Sequence, residues 1–285
     1  MMILITGANG QLGHDFQRIF KERNLDFIAT DYKELDITDI DTVREFVKDK
    51  NINLIINCAA YNNVDKAEEE AEMCYKLNAY APRDLALVAK EGGADYITYS
   101  TDFVFDGSKK TAYTEEDIPA PLSVYSEAKA EGEKLVLEAY DKSFVVRTSW
   151  VFGIANNNFN RQVINWSKSR DVLEIVDDQV SVPTYSYDLA LYSLKLLETK
   201  KYGLYHLSNS GIASKYDQAK YVLDSIGWKG TLNRAKSSDF VLPAKRAEYS
   251  KLDSSKLEAA IGEKIPTWES GIDRFLNEMR EKGEL

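Results

Sequence analysis

The stretch Met2-Ile3-Leu4-Ile5-Thr6-Gly7-Ala8-Asn9-Gly10-Gln11-Leu12-Gly13 decides how this chain folds. An apolar run of strand length stops at a turn carrying three glycines, and a helical pattern follows over about Leu12–Arg23. Glycines at such a turn let the backbone bend sharply and approach a pyrophosphate, which then sits on the amino end of the helix. Gly7, Gly10 and Gly13, with Gln11 and Leu12 between them, are therefore candidate dinucleotide contacts. A glycine-rich strand-to-helix turn without a ligand is the alternative. The spacing is Gly-x-x-Gly-x-x-Gly rather than Gly-x-Gly-x-x-Gly.

Working outward, short apolar runs alternate with helical patterns through the first half, as parallel strands joined by crossover helices do. Strands are predicted at Phe27–Thr30, Leu54–Cys58, Tyr96–Ser100 and Phe144–Thr148, and helices at Ile40–Asp49 and Val124–Tyr140. Asp65 through about Lys90 reads as one long helix, kinked or divided at Pro82. After Trp150 the rhythm loosens, with helices expected near Asn156–Ser169 and Ser186–Leu197. The predicted fold is α/β: a Rossmann-type doubly wound parallel sheet with a smaller C-terminal α/β substrate lobe. Residues 1–155 are assigned to the cofactor domain and 156–285 mainly to the lobe, with 180–207 returning to the first domain.

Composition sets the outer limits. The 285 residues are 44% hydrophobic and 29% charged, ordinary for a globular protein. A formal net charge of −10 argues against nucleic acid as a partner, because phosphate backbones need a basic footprint. No apolar run approaches the ~20 residues of a membrane span, and the first residues enter strand pattern with no basic leader, so a cytoplasmic location is expected. Cys58 and Cys74 read as core residues rather than a disulfide, and no Cys/His spacing suits a metal.

The residues able to do chemistry lie between Ser100 and Lys129. Tyr125 and Lys129, four apart, share one face of a helix and can reach one site. An ammonium beside a phenol favours the phenolate, which would make Tyr125 a usable acid near neutral pH. Ser100-Thr101-Asp102 supplies a hydroxyl partner, although the tripeptide in isolation reads as a strand end and a turn. Asp31 closes the second strand, where a carboxylate can accept from ribose hydroxyls and repels a 2′-phosphate. NADH is thus expected over NADPH, with Lys33 softening the preference.

The glycine spacing resembles the extended branch of the short-chain dehydrogenase/reductase superfamily. That resemblance implies adenine contacts at Asp36 and Ile37, close cofactor approach at Ala59, Ala60 and Tyr61, and a geometry-holding role for Asn78. Read from the residues alone, Asp36 or Thr38 is equally a helix cap, and Asn78 a buried asparagine satisfied by backbone. A narrower likeness comes from Asn57 through Glu68, Tyr99 through Gly107 and Arg147-Thr-Ser-Trp-Val-Phe-Gly153. Asp178 through Thr184, Gly203 through Leu207 and Arg246 through Asp253 extend it into the second half. Together these segments closely resemble the dTDP-4-dehydrorhamnose reductase family along nearly the whole chain.

The family resemblance implies reduction of the 4-keto group of a dTDP-linked 4-keto-6-deoxyhexose by NADH or NADPH. Thr101, Tyr125 and Lys129 would be catalytic, with Tyr125 and Lys129 also touching cofactor. Thr101, Asp102, Tyr125 and Trp150 would contact the substrate, and Asn158 and Arg246 its diphosphate. Trp150 as a core aromatic and Arg246 in a surface ion pair are the plainer readings. Three positions depart from the family: Asn62 replaces its threonine, Ala247 its proline, and Tyr187 an acidic residue. Some relatives form a metal-bridged dimer in which Asp15 could serve, but Tyr187 argues against that bridge, so no metal is expected. The oligomeric state is left open between monomer and homodimer. The alternatives are another nucleotide-sugar epimerase or dehydratase, which would keep its NAD bound, and a non-enzymatic subunit like the regulatory partner of methionine adenosyltransferase.

Overall fold

A computed structural model describes residues 2–285. Met2–Thr6 (β1), Phe27–Thr30 (β2), Ile52–Asn57 (β3), Asp95–Thr101 (β4) and Ser143–Thr148 (β5) form a parallel sheet, joined at its edge by Gly203–His206. From that edge the order is Gly203–His206, β5, β4, β3, β1, β2. The order reverses between β1 and β3, and a crevice opens above the carboxyl ends of the strands at such a point.

Side chains that alternate along β1 divide the core. Ile3 and Ile5 face one side, with Leu54, Ile56, Phe144 and Val146, against Phe16 and Phe20 of helix Gln11–Glu22 (α1) and Leu189 and Leu196 of helix Ser186–Thr199. Leu4 faces the other, with Ile55, Tyr96 and Val145, against Val43, Leu85 and Val136. All six residues of β5 are buried, which accounts for its unbroken run without alternation. Burying one such side chain, Phe16 for instance, contributes about 1.5–3 kcal/mol.

The chain leaves the sheet after β5 and enters a second layer. Helix Phe159–Ser167 and strand Val172–Val176 come first. Helix Ser186–Thr199 and strand Gly203–His206 then return to the sheet. Helices Lys215–Ser225 and Trp268–Glu281 and strand Thr231–Ala235, parallel to Val172–Val176, complete the lobe around Phe152, Val163, Ile175, Val222 and Phe275. Among the described residues, no helix is long and apolar enough to cross a membrane. Cys58 and Cys74 are free thiols.

The helix expected from Asp65 to Lys90, kinked or divided at Pro82, is interrupted just before that proline and again further upstream. Lys66–Glu68 is a 3-10 turn, Ala71–Tyr75 is α-helical, Lys76–Tyr80 is a π turn, and Ala81–Gly92 resumes the α-helix. Pro82 has no N–H to give the carbonyl of Asn78, so the widened turn falls directly before it.

Candidate active site

The glycine turn is closed by the Gly10 N–H on the Gly7 carbonyl at 3.1 Å. Gly7 sits at φ +67°, and a Cβ there would lie 2.5 Å from the Ala59 nitrogen. A Cβ on Gly13 would meet the Gly7 carbonyl at 2.4 Å. Only glycine fits either position. Gly10 caps α1 without a side-chain acceptor, so the first-turn N–H groups receive no internal anion.

Beneath the turn, Asn57 links three neighbouring strands. Its Oδ1 accepts from the Thr6 hydroxyl at 2.8 Å and the Ala59 N–H at 3.1 Å, and its Nδ2 donates to Thr98. Above it lies a cavity of about 340 Å³. Gly10, Gln11, Leu12, Ala59, Ala60, Thr101, Tyr125, Lys129 and Trp150 all line it. Ser100 Oγ, Thr148 Oγ1 and Gln11 Oε1, also from its lining residues, are buried without a hydrogen-bond partner among the described residues. Unpaired hydroxyl and amide groups around an N–H-rich turn suit a polar, anionic dinucleotide.

Helix Val124–Ala139 presents Tyr125 and Lys129. Its start is fixed by a reciprocal cap between Ser123 and Ser126, and by Glu68 accepting the Val124 N–H at 3.0 Å. Lys129 Nζ donates to the Tyr99 carbonyl at 3.1 Å rather than to the phenol. Burial pushes the Tyr125 phenol up, and the Thr101 hydroxyl draws it partly back. Burial lowers Lys129 to about 8, against the pull of Cys74 and Glu133. The expected lowering of the phenol by Lys129 is not seen: desolvation dominates, and Thr101 is the group that draws the phenol down. Tyr125 is a phenol at neutral pH, able to donate.

Other site candidates lie around the cavity rather than in it. Asp31 accepts the Asn9 N–H at 3.0 Å and the Tyr32 N–H at 2.8 Å, bracing the glycine turn from the end of β2. Asp36 is occupied by the N–H and hydroxyl of Thr38, and Ile37 is buried beside Leu35 and Val43. Neither Asp36 nor Thr38 caps the next helix: Asp39 does, accepting from Asp41 and Thr42. Asn78, in the π turn, receives the Tyr61 N–H at 3.0 Å and returns a bond to the Tyr61 carbonyl at 2.9 Å.

Asp102 is 1% exposed and does not line this cavity. Its carboxylate accepts from Thr101 at 3.2 Å, Ser181 at 2.8 Å and Ser250 at 2.5 Å, joining β4 to the lobe. Burial raises its pKa to about 6 against those three hydroxyls. Asn158 caps helix Phe159–Ser167 through the Arg161 N–H and gives its amide to the carbonyls of Gly153 and Asn156. Its amide is thus engaged by backbone, because the turn into that helix needs a cap.

A second cavity, about 950 Å³, opens between helix Phe159–Ser167, strand Val172–Val176 and the segment around Arg246. Leu122, Phe159, Trp166, Phe240 and Leu242 give it apolar walls, and Lys215 and Arg246 bring cations. Trp150, at φ +44°, lines the first cavity, and the ammonium of Lys215, a lining residue of the second, lies 3.6 Å from its ring centroid. Lys215 escaped the sequence reading because a lysine opening a helix carries no motif.

The family described as RmlD substrate binding domain matches residues 1–281. The dTDP-4-dehydrorhamnose reductase of Aggregatibacter actinomycetemcomitans is 38% identical, over 95% of this chain and 96% of that protein. The Escherichia coli K12 protein of the same name is 34% identical, over 98% of each. A crystal structure of a dTDP-4-dehydrorhamnose reductase from Clostridium acetobutylicum has a TM-score of 0.96 at 40% identity, over 98% of this chain and 100% of that one. A Bacillus anthracis dTDP-4-dehydrorhamnose reductase in complex with NADP scores 0.94 at 38% identity, over 97% and 99%. A Thermus thermophilus UDP-glucose 4-epimerase in complex with NAD, at 17% identity and a TM-score of 0.82, shares the fold alone. The resemblance seen in the motifs thus holds along the length of the molecule, and the chain belongs to the RmlD family, alongside the dTDP-4-dehydrorhamnose reductases.

Proposed function

We propose that this protein reduces the 4-keto group of dTDP-4-dehydro-L-rhamnose, giving dTDP-L-rhamnose. The observation that carries the reading is the meeting of Thr101, Tyr125 and Lys129 with Gly10, Gln11 and Leu12 on one cavity. Full-length identity to reductases, against a fold-only likeness to an epimerase, favours reduction over epimerisation.

A nicotinamide cofactor, when bound, supplies the hydride. Gly7, Gly10 and Gly13 let the backbone approach its pyrophosphate, and Asp31 favours a free ribose hydroxyl, hence NADH over NADPH. Tyr125 gives its phenolic proton to the carbonyl oxygen as negative charge develops there. The Thr101 hydroxyl polarises the same oxygen once it turns from Asp102. Lys129 steadies the phenolate left behind. Asn78 works at one remove, fixing the backbone of Tyr61.

The test is NADH oxidation, followed by nicotinamide absorbance, with the dTDP-linked 4-keto sugar generated in situ. Sugar-dependent turnover that falls by about 10²–10⁴ in a folded Tyr125→Phe protein is expected. Absence of turnover with both NADH and NADPH, in a protein that binds either, would overturn the assignment.

A further inference from the structure

Lys215 is a charged side chain of the large cavity that the reaction above leaves without a role. It opens helix Lys215–Ser225, and its ammonium lies between two aromatic faces, 3.6 Å from the Trp150 centroid and 4.6 Å from that of Phe159. Among the described residues it has neither a hydrogen-bond acceptor nor a carboxylate partner, whereas its neighbour on the same wall, Arg246, is paired with Asp65. Asp102 feels its charge but gives it no bond, because the Asp102 oxygens are occupied by three hydroxyls.

Such a placement is costly. A partly desolvated ammonium without an acceptor is unfavourable, and the ring faces offset only part of the cost. An alkyl side chain of the same length would cover the two rings without that penalty. Burial, aided by Arg246, already draws Lys215 down to about 7, with Asp102 opposing. A cation held under those conditions suits the arrival of an anion.

The position of the pair indicates which anion. Trp150 lines the small cavity with Thr101 and Tyr125, while Lys215 lines the large one. A nucleotide-sugar whose sugar reaches Tyr125 and whose nucleoside fills the large cavity must carry its diphosphate past Trp150 and Lys215. We propose that the Lys215 ammonium is the diphosphate-binding group, and that it sets the preference for phosphate-linked over neutral sugars. This inference rests on the nucleotide-sugar reading of the site.

Binding of inorganic pyrophosphate, dTDP and thymidine, measured by calorimetry on the wild type, Lys215→Met and Lys215→Arg, tests it without turnover. Lys215→Met is expected to weaken pyrophosphate and dTDP about tenfold or more, leave thymidine unchanged, and not lower the melting temperature. Lys215→Arg should restore most of the loss. In steady-state assays Lys215→Met should raise KM for the sugar nucleotide far more than it lowers kcat. Unchanged binding of dTDP and pyrophosphate in Lys215→Met would overturn the proposal, as would an equal loss of thymidine. If the wild type turned over no dTDP-sugar while Lys215→Met still lost pyrophosphate, the substrate assignment would fall and the anion site would stand.

Discussion

Arg246 holds Asp65 through both terminal guanidinium nitrogens, at 3.0 and 2.7 Å, tying a wall of the large cavity to the loop that follows β3. The same Asp65 accepts the Ala244 N–H at 3.2 Å, and Arg246 donates to the Ala244 carbonyl at 3.0 Å. The hydrogen bonds from Arg246, more than any other contact, hold the Asp65 carboxyl below its ordinary range. An arginine so engaged shapes the wall before it can meet a phosphate, and Ala247 puts no proline there to stiffen the turn.

Asp65→Asn should therefore loosen the 244–246 wall without touching the cofactor. KM for the sugar nucleotide is expected to rise about tenfold, with KM for NADH unchanged. The carboxylate's stabilising share is present above its unfolded pKa and is lost as pH falls through the lower folded value. Steady-state kinetics with each substrate varied in turn decides the point. Equal changes in both KM values would place the effect on the whole fold.

Lys129, if it acts as proposed, should give the reaction a basic limb. Its ammonium is held near 8 by burial, while Tyr125 remains a phenol well beyond that pH. As pH rises through about 8, the lysine loses its charge first, and kcat/KM for the sugar should fall with it. Lys129→Met should be slower at every pH and lack that limb. A limb that persisted in Lys129→Met would assign it to another group.

Asp31 serves two ends. Its carboxylate faces where a ribose hydroxyl is expected, and it also holds the Asn9 N–H of the glycine turn. Asp31→Ala should shift the kcat/KM ratio toward NADPH, and should cost about 1–2 kcal/mol of stability for the lost backbone bonds from Asn9 and Tyr32. Parallel kinetics with the two cofactors and a urea titration separate the effects. A stability loss with no change in cofactor ratio would make Asp31 a brace alone.

Much of this was legible in the sequence because it is local. The apolar runs of β1 and β3–β5, the glycine turn, and the four-residue spacing of Tyr125 and Lys129 each signal within a dozen residues. What escaped depends on partners far along the chain. Asp102 reads as a turn residue beside Thr101 until Ser181 and Ser250 enclose it. The helix cap that Asn158 makes is visible only once the turn into that helix is seen, and Lys215 has no signal without Trp150. The capping error was of a different kind: Asp36, Thr38 and Asp39 are all competent caps, and the first turn of the helix selects Asp39.

Gly132 belongs with the unsignalled residues. It lies in helix Val124–Ala139 against the π turn, and a Cβ there would come within 2.2 Å of the Asn78 carbonyl. That carbonyl is the one Pro82 cannot satisfy, so the contact joins the helix bearing Tyr125 and Lys129 to the turn that holds Tyr61. Gly132→Ala must push them apart. A loss of about 1–3 kcal/mol is expected, with lower kcat from displaced catalytic groups. A melting curve unchanged from wild type would show that the turn yields freely.

His206 should make the protein acid-sensitive well above the pH where its carboxylates protonate. It is fully buried at the end of the edge strand, with Nδ1 3.1 Å from the Tyr113 carbonyl and Nε2 3.3 Å from Arg147 Nη1. The carbonyl requires Nδ1 to donate, which leaves Nε2 to accept from Arg147, so the neutral tautomer satisfies both partners. Arg147 is itself held by Glu133 at 2.9 and 2.6 Å. Burial first, and then the Arg147 charge, press the imidazole pKa from 6.5 to about 3. Below pH 6.5 the unfolded chain takes up a proton that the native state refuses, so stability falls with pH until about pH 3. Between pH 7.5 and 5 the loss is about 2 kcal/mol. Urea midpoints at the two pH values read it directly. His206→Gln, whose amide can donate to Tyr113 and accept from Arg147, should remove that part of the slope. An equally steep slope in His206→Gln would place the acid sensitivity elsewhere.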